Sequence, residues 1–168
     1  FNSLEARGYS HKELRKQVRQ KLHNIVAPYL GDPDYAASQQ DLDATFKDDQ
    51  DDKRIRQTCL NILNNHASTS ERTSFLAEYF SSIFNLTGVP QTILDLACGL
   101  NPLSLRWMGL PNDVQYHAYD LHLPRIELIN HYFELERLPQ LAEHRDILVN
   151  PPHINADIAF FLKEAHRF

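Results

Sequence analysis

The stretch TILDLACGLNP, residues 92–102, decides how the rest of the chain reads. Four β-favouring or apolar positions and an acid at Asp95 are followed by a turn of small residues around Gly99. A buried parallel strand ends in this way, with the turn at its carboxyl end. Glycine there accepts positive φ and lets another group come close to the backbone. In open parallel sheets that turn is where ligands collect. The turn lacks G-x-G-x-x-G and has no GK[ST] after it, which argues against dinucleotides and ATP. Asp95 offers an acceptor to an amino group or to the turn's own N–H groups.

Downstream the pattern alternates. Helix is expected over about 102–109, strand over 114–119, helix over 124–137, a short strand near 141–145, and a strand over 157–162 after a Pro-Pro loop. Such alternation means an α/β fold with a parallel sheet and crossover helices. The second strand ends in Asp120, 25 residues after Asp95. An acid at that place can accept from both hydroxyls of a ribose. Helix capping and turn formation are the structural alternatives for each acid.

Upstream the chain is helical. Ser10 and Glu13 have capping-box spacing ahead of Leu14, Val18, Leu22 and Ile25, which predicts a helix over 10–26. Asp32-Pro33 marks a second start, with Tyr35, Leu42 and Phe46 on its face. The acidic stretch 48–52 is a connection or helix start. Ile55, Cys59 and Ile62 or Leu63 make a third stripe. Residues 66–84 read as one helix opened by a Ser68–Glu71 capping box, broken by Thr87, Gly88 and Pro90.

The net charge is −5, which alone speaks against a nucleic-acid partner. Its distribution is uneven, however. Lys12, Arg15, Lys16, Arg19 and Lys21 crowd one segment against a single Glu13, whereas 41–52 carry six Asp against one Lys. A basic first helix therefore coexists with an acidic total, although charge runs are commonly solvated faces. Cys59 and Cys98 lie far apart without a CxxC partner, and His117, His122 and His131 share no ligand spacing, so neither a disulfide framework nor a metal is expected. No long apolar run or signal-peptide pattern is visible, and a cytoplasmic protein without membrane contact is expected. Phe1 in place of Met, and an end just after a strand-like run, suggest a chain truncated at its C-terminus, with 157–162 left as an unpaired edge.

HASTSER (66–72), DLACGLNPLSL (95–105), YDLH (119–122) and RDILVNPP (145–152) together resemble the aminoglycoside-resistance 16S ribosomal RNA methyltransferases that modify guanine at N7. The resemblance is close over 66–110 and looser over 111–163. It implies a Rossmann-like S-adenosylmethionine-dependent methyltransferase fold whose first part spans 66–168, preceded by a helical rRNA-binding unit over 1–65. It further implies that Arg72 pairs with the cofactor carboxylate, and that Asp95, Ala97 and Gly99 form the turn around its methionine part. Asp120 would hold the ribose, and Asp146 with Ile147 would meet the adenine. His66 and Ser68 would position the Arg72 segment. Lys12, Arg15, Lys16, Arg19 and Lys21 would face RNA of the 30S subunit, with the protein acting as a monomer. No catalytic residue is implied, since N7 already carries a lone pair. Two other readings stay open: an inactive truncated relative that binds RNA or cofactor, and an amino-group methyltransferase using the DILVNPPH segment (146–153).

Overall fold

The computed structural model of the chain describes residues 13–17, 33–48 and 51–162. Two compact units divide between Gly31 and Asp32. In the first, residues 13–17 are helical, with Leu14 buried and Arg15 and Lys16 exposed. The remainder of the expected 10–26 helix, including Lys12, Arg19 and Lys21, lies outside the described residues.

The second unit opens with α1 (Tyr35–Asp48) and α2 (Asp52–Asn64). Asp34 supplies the first cap, accepting from the Ala37 N–H at 3.0 Å; Asp32 lies outside the described residues. Asp51 caps α2 by accepting from the Lys53 N–H, so the acidic stretch is a helix start. The α2 stripe Ile55, Cys59, Ile62 and Leu63 is buried in the same core as the sheet. The compact unit thus begins upstream of the 65/66 boundary that the pattern suggests, because the α2 stripe is buried there.

Residues 66–87 differ from the single expected helix. They form a one-turn α3 (Ala67–Ser70), a 3-10 turn (Thr73–Phe75) and α4 (Leu76–Thr87). The Ser68–Glu71 capping box does not form: His66 is the N-cap residue and gives no side-chain cap. Thr69 Oγ1 instead donates to the Leu63 carbonyl at 2.6 Å, which ties the short turn back to the end of α2.

Four strands follow: β1 (Thr92–Leu96), β2 (Gln115–Asp120), β3 (Ala142–His144) and β4 (Ile158–Phe160). All pairings are parallel, in the order β3-β2-β1-β4. The chain runs outward from β1 to β2 to β3 and then crosses to the other side of β1. The switch point therefore lies between β1 and β4, at the place where open parallel sheets bind ligands. Asn101–Trp107 is a 3-10 helix rather than an α-helix, and α5 (Leu123–Leu135) connects β2 to β3. The sheet core holds Ile93, Tyr116, Ala118 and Phe160 against Phe80, Ile129 and Phe133. Rings of Phe80 and Phe160 approach to 6.2 Å, and those of Tyr116 and Phe133 to 5.6 Å. Among the described residues no helix is long and apolar enough to cross a membrane.

Candidate functional site

The turn after β1 takes an unusual path. Ala97 and Gly99 both adopt left-handed backbone, with φ of 52° and 55°. For alanine this is uncommon and costs energy. Between them the Cys98 N–H donates to the Tyr119 carbonyl at 2.9 Å, which ties the turn to β2. Gly99 faces the HAST segment at close range: a Cβ there would lie 2.9 Å from Ser68 Oγ and 3.3 Å from His66 Cε1. Ser68 Oγ and His66 Nδ1 are themselves hydrogen-bonded at 2.7 Å. Two sequence-distant motifs, 66–72 and 95–105, are thereby packed on one another.

Arg72 emerges from this contact. Its side chain is buried, at 7% exposure, and lies 5.8 Å over the Tyr79 ring. Nη1 donates to the Ser68 carbonyl at 3.0 Å and Nη2 to Asn101 Oδ1 at 3.2 Å, while Nε has no hydrogen-bond partner among the described residues. Among the described residues no carboxylate forms an ion pair with it. A buried guanidinium without a counter-ion is costly, and the unpartnered Nε leaves the group able to take an anion.

Asp95 lies below, at 1% exposure. Its Oδ2 accepts from Asn101 Nδ2 at 2.9 Å and from the Tyr116 hydroxyl at 2.7 Å. The Asn101 amide thus bridges the acid and Arg72, holding opposite charges in one network without a direct salt bridge. Burial pushes the Asp95 carboxyl up to about 7, against the hydrogen bonds from Asn101 and Tyr116 and the charge of Arg72. The same burial, with the Asp95 charge beside it, pushes the Tyr116 hydroxyl well above its usual value, so it stays a donor. Neither Asn101 nor Tyr116 stands out in the sequence. The asparagine reads as a turn residue and the tyrosine as strand core.

Asp120 closes the other side of the turn. Its Oδ2 accepts from the Gly99 N–H at 3.0 Å and its Oδ1 from the His122 N–H at 2.9 Å. Arg125 Nη1 reaches both oxygens, at 2.9 and 3.0 Å. Arg72, Asp95, Ala97, Gly99 and Asp120 are thus gathered at the carboxyl ends of β1 and β2, with His66 behind them. Asp146 and Ile147 follow β3. Asp146 is exposed, and its Oδ1 accepts from the Leu148 N–H at 2.9 Å, forming an Asx turn that leads into the NPP segment. A separate open pocket of about 360 Å³, lined among others by Arg56, Arg106, Val114 and Glu136, lies toward the amino-terminal end of β2; Arg106 is paired there with Glu136 and Asp52.

Comparison with known proteins identifies the family. A family model described as ribosomal RNA methyltransferase (FmrO) matches residues 3–168. A 16S rRNA (guanine(1405)-N(7))-methyltransferase of Proteus mirabilis is 34% identical over 154 residues, covering 85% of this chain and 55% of the relative. Among solved structures, the 16S rRNA methylase RmtB superposes with a TM-score of 0.69 at 26% identity, over 94% of this chain and 59% of its own. The 16S rRNA methyltransferase RmtF in complex with S-adenosyl-L-homocysteine superposes with a TM-score of 0.60 at 28% identity, over 88% and 54%. The chain therefore spans little more than half the length of these proteins. The match over nearly its whole length nevertheless places it plainly: this chain belongs to the FmrO family of ribosomal RNA methyltransferases.

Proposed function

We propose that the chain carries the S-adenosylmethionine site of an enzyme that methylates guanine N7 in 16S rRNA, a modification that would protect the ribosome from aminoglycosides. The observation that carries this reading is Arg72: a buried guanidinium with no carboxylate partner among the described residues, beside a glycine turn at the switch point. An amino-acid carboxylate is a fitting counter-ion, since a guanidinium fork matches it with two parallel bonds. Among the described residues Asp95 receives hydrogen bonds only at Oδ2, so Oδ1 remains an acceptor for the amino group of the same ligand. Ala97 and Gly99 shape the turn around it, Asp120 takes the ribose side, and Asp146 with Ile147 takes the adenine side. His66 acts through Ser68 by fixing the turn. RmtF, which matches 88% of this chain, is described with S-adenosyl-L-homocysteine bound.

When bound, the cofactor supplies an electrophilic methyl group on a sulfonium. Guanine N7 presents its own lone pair, so no side chain has to remove a proton, and no catalytic base is assigned. What these residues contribute is alignment and charge. Arg72 takes the amino-acid end of the ligand while Asp120 faces its ribose, and holding nucleophile, methyl and sulfur in line supplies most of the rate. The helical part over 1–65 is assigned to rRNA of the 30S subunit through Lys12, Arg15, Lys16, Arg19 and Lys21, with the protein acting as a monomer in the cytoplasm. Phosphate contacts of this kind weaken steeply with salt.

The test is transfer of labelled methyl from S-adenosylmethionine to purified small ribosomal subunits, followed by mapping of the modified base. Incorporation at a guanine N7 is expected. Cofactor binding without any incorporation by the intact protein would contradict the catalytic part, and label on an exocyclic amino group would favour the NPPH reading instead.

A further inference from the structure

The carboxylate assigned to the ribose is already saturated. Oδ1 of Asp120 accepts from the His122 N–H and Arg125 Nη1, both at 2.9 Å; Oδ2 accepts from the Gly99 N–H and the same Nη1, both at 3.0 Å. A carboxylate offers about four lone-pair directions. Four contacts leave none for the two hydroxyls of a diol.

The donors are not equally movable. Gly99 is fixed by the left-handed turn, and His122 is the N-cap residue of α5. Among the described residues Arg125 alone reaches Asp120 through a flexible side chain, and both partners are about nine-tenths buried. Its guanidinium is also held from the far side, where Nε donates to the Tyr35 hydroxyl of α1 at 3.2 Å. The Tyr35 ring packs against the His122 ring at 5.2 Å.

We propose that Arg125 is a specificity-determining residue of the nucleoside subsite: its Nη1 occupies the lone pairs of Asp120 that a ribose 2′,3′-diol requires, and Tyr35 holds it there. The inference rests on the S-adenosylmethionine reading above. A ligand with a vicinal diol has to displace a cationic donor before its two uncharged hydroxyls can donate to the carboxylate. The native site therefore draws little affinity from the diol, and a site without Arg125 draws much more. Because Tyr35 belongs to α1, the grip on the ribose is tied to the helical segment that precedes the sheet.

The experiment is calorimetric titration of the full chain with S-adenosylhomocysteine and with its 2′,3′-dideoxy analogue. Wild type, Arg125→Met and Tyr35→Phe are compared by the ratio of the two affinities. A merely structural role for Arg125 would weaken both ligands alike and leave that ratio unmoved. The expected result is a ratio about tenfold higher in Arg125→Met, the scale of one charge-assisted hydrogen bond, with a smaller rise of the same sign in Tyr35→Phe. A ratio equal to or below that of the wild type in the folded variants would overturn the proposal. Should Arg125→Met fail to fold, the Tyr35→Phe ratio decides. Wild type that is folded and binds neither ligand would overturn the cofactor reading itself, a different outcome from binding with an unchanged ratio.

Discussion

Asp95 is held in a state that makes stability depend on pH. Its carboxyl is pushed up to about 7 by burial, whereas the unfolded chain titrates near 4. Between these values the native state binds the extra proton, so this group's contribution to stability falls as pH rises from about 4 to about 7. Asp95→Asn removes the ionisation. The melting temperature of the variant relative to wild type is expected to rise across that window, and a difference that stays flat from pH 4 to 8 would show that Asp95 keeps an ordinary carboxyl. Gly99 makes a second prediction at this scale. Alanine there must adopt φ near +55° and bring its Cβ to 2.9 Å from Ser68 Oγ. A loss of about 1–3 kcal/mol is expected in denaturant titration; no loss would mean that the HAST segment yields freely. The acids and Gly99 were legible because strand ends and turns mark themselves. Asn101, Tyr116 and Arg125 were not, because their importance lies in partners 6 to 90 residues away.

Among the elements, 66–87 shows where periodicity misleads. Phe75, Leu76, Tyr79, Phe80, Ile83 and Phe84 make a broad apolar stripe, and a stripe of that length reads as one helix. The chain breaks it at Arg72, where φ is −116°, and the backbone turn allows the guanidinium to point into the site. Local propensity gave way to a tertiary demand. The 3-10 helix 101–107 is a similar case. Its first four residues are buried, and Arg106 near its end clasps neighbouring elements. Arg106 Nε and Nη2 donate to Glu136 at 2.6 and 2.8 Å, and Nη1 donates to Asp52 at 2.8 Å. With Glu136 mostly buried, a double-mutant cycle on Arg106 and Glu136 should return a coupling of about 1.5–3 kcal/mol. The largely exposed Asp52 should couple by about 1 kcal/mol or less. Equal couplings would show that the bidentate geometry contributes nothing beyond charge proximity.

At the scale of the molecule, the sequence carried the α/β alternation, the parallel sheet and the end of the sheet where a ligand would sit. It did not carry the extent of the compact unit. The α2 stripe is as apolar as that of any surface helix, and only the folded chain reveals that Ile55, Cys59 and Leu63 are buried in the core of the sheet. Contacts such as His131 Nε2 to Asp43 at 2.9 Å and Arg125 to Tyr35 join α1 to α5 across some ninety residues of sequence. The helical segment and the Asp120 side of the site accordingly belong to one structure. If Arg72 holds the carboxylate of S-adenosylmethionine, as proposed, its loss weakens cofactor binding. Titration calorimetry with S-adenosylhomocysteine, on wild type and Arg72→Ala, tests it most directly. Binding by the wild type and a loss of about 1–3 kcal/mol in the variant are expected; unchanged affinity in a folded Arg72→Ala would mean that Arg72 does not hold the cofactor.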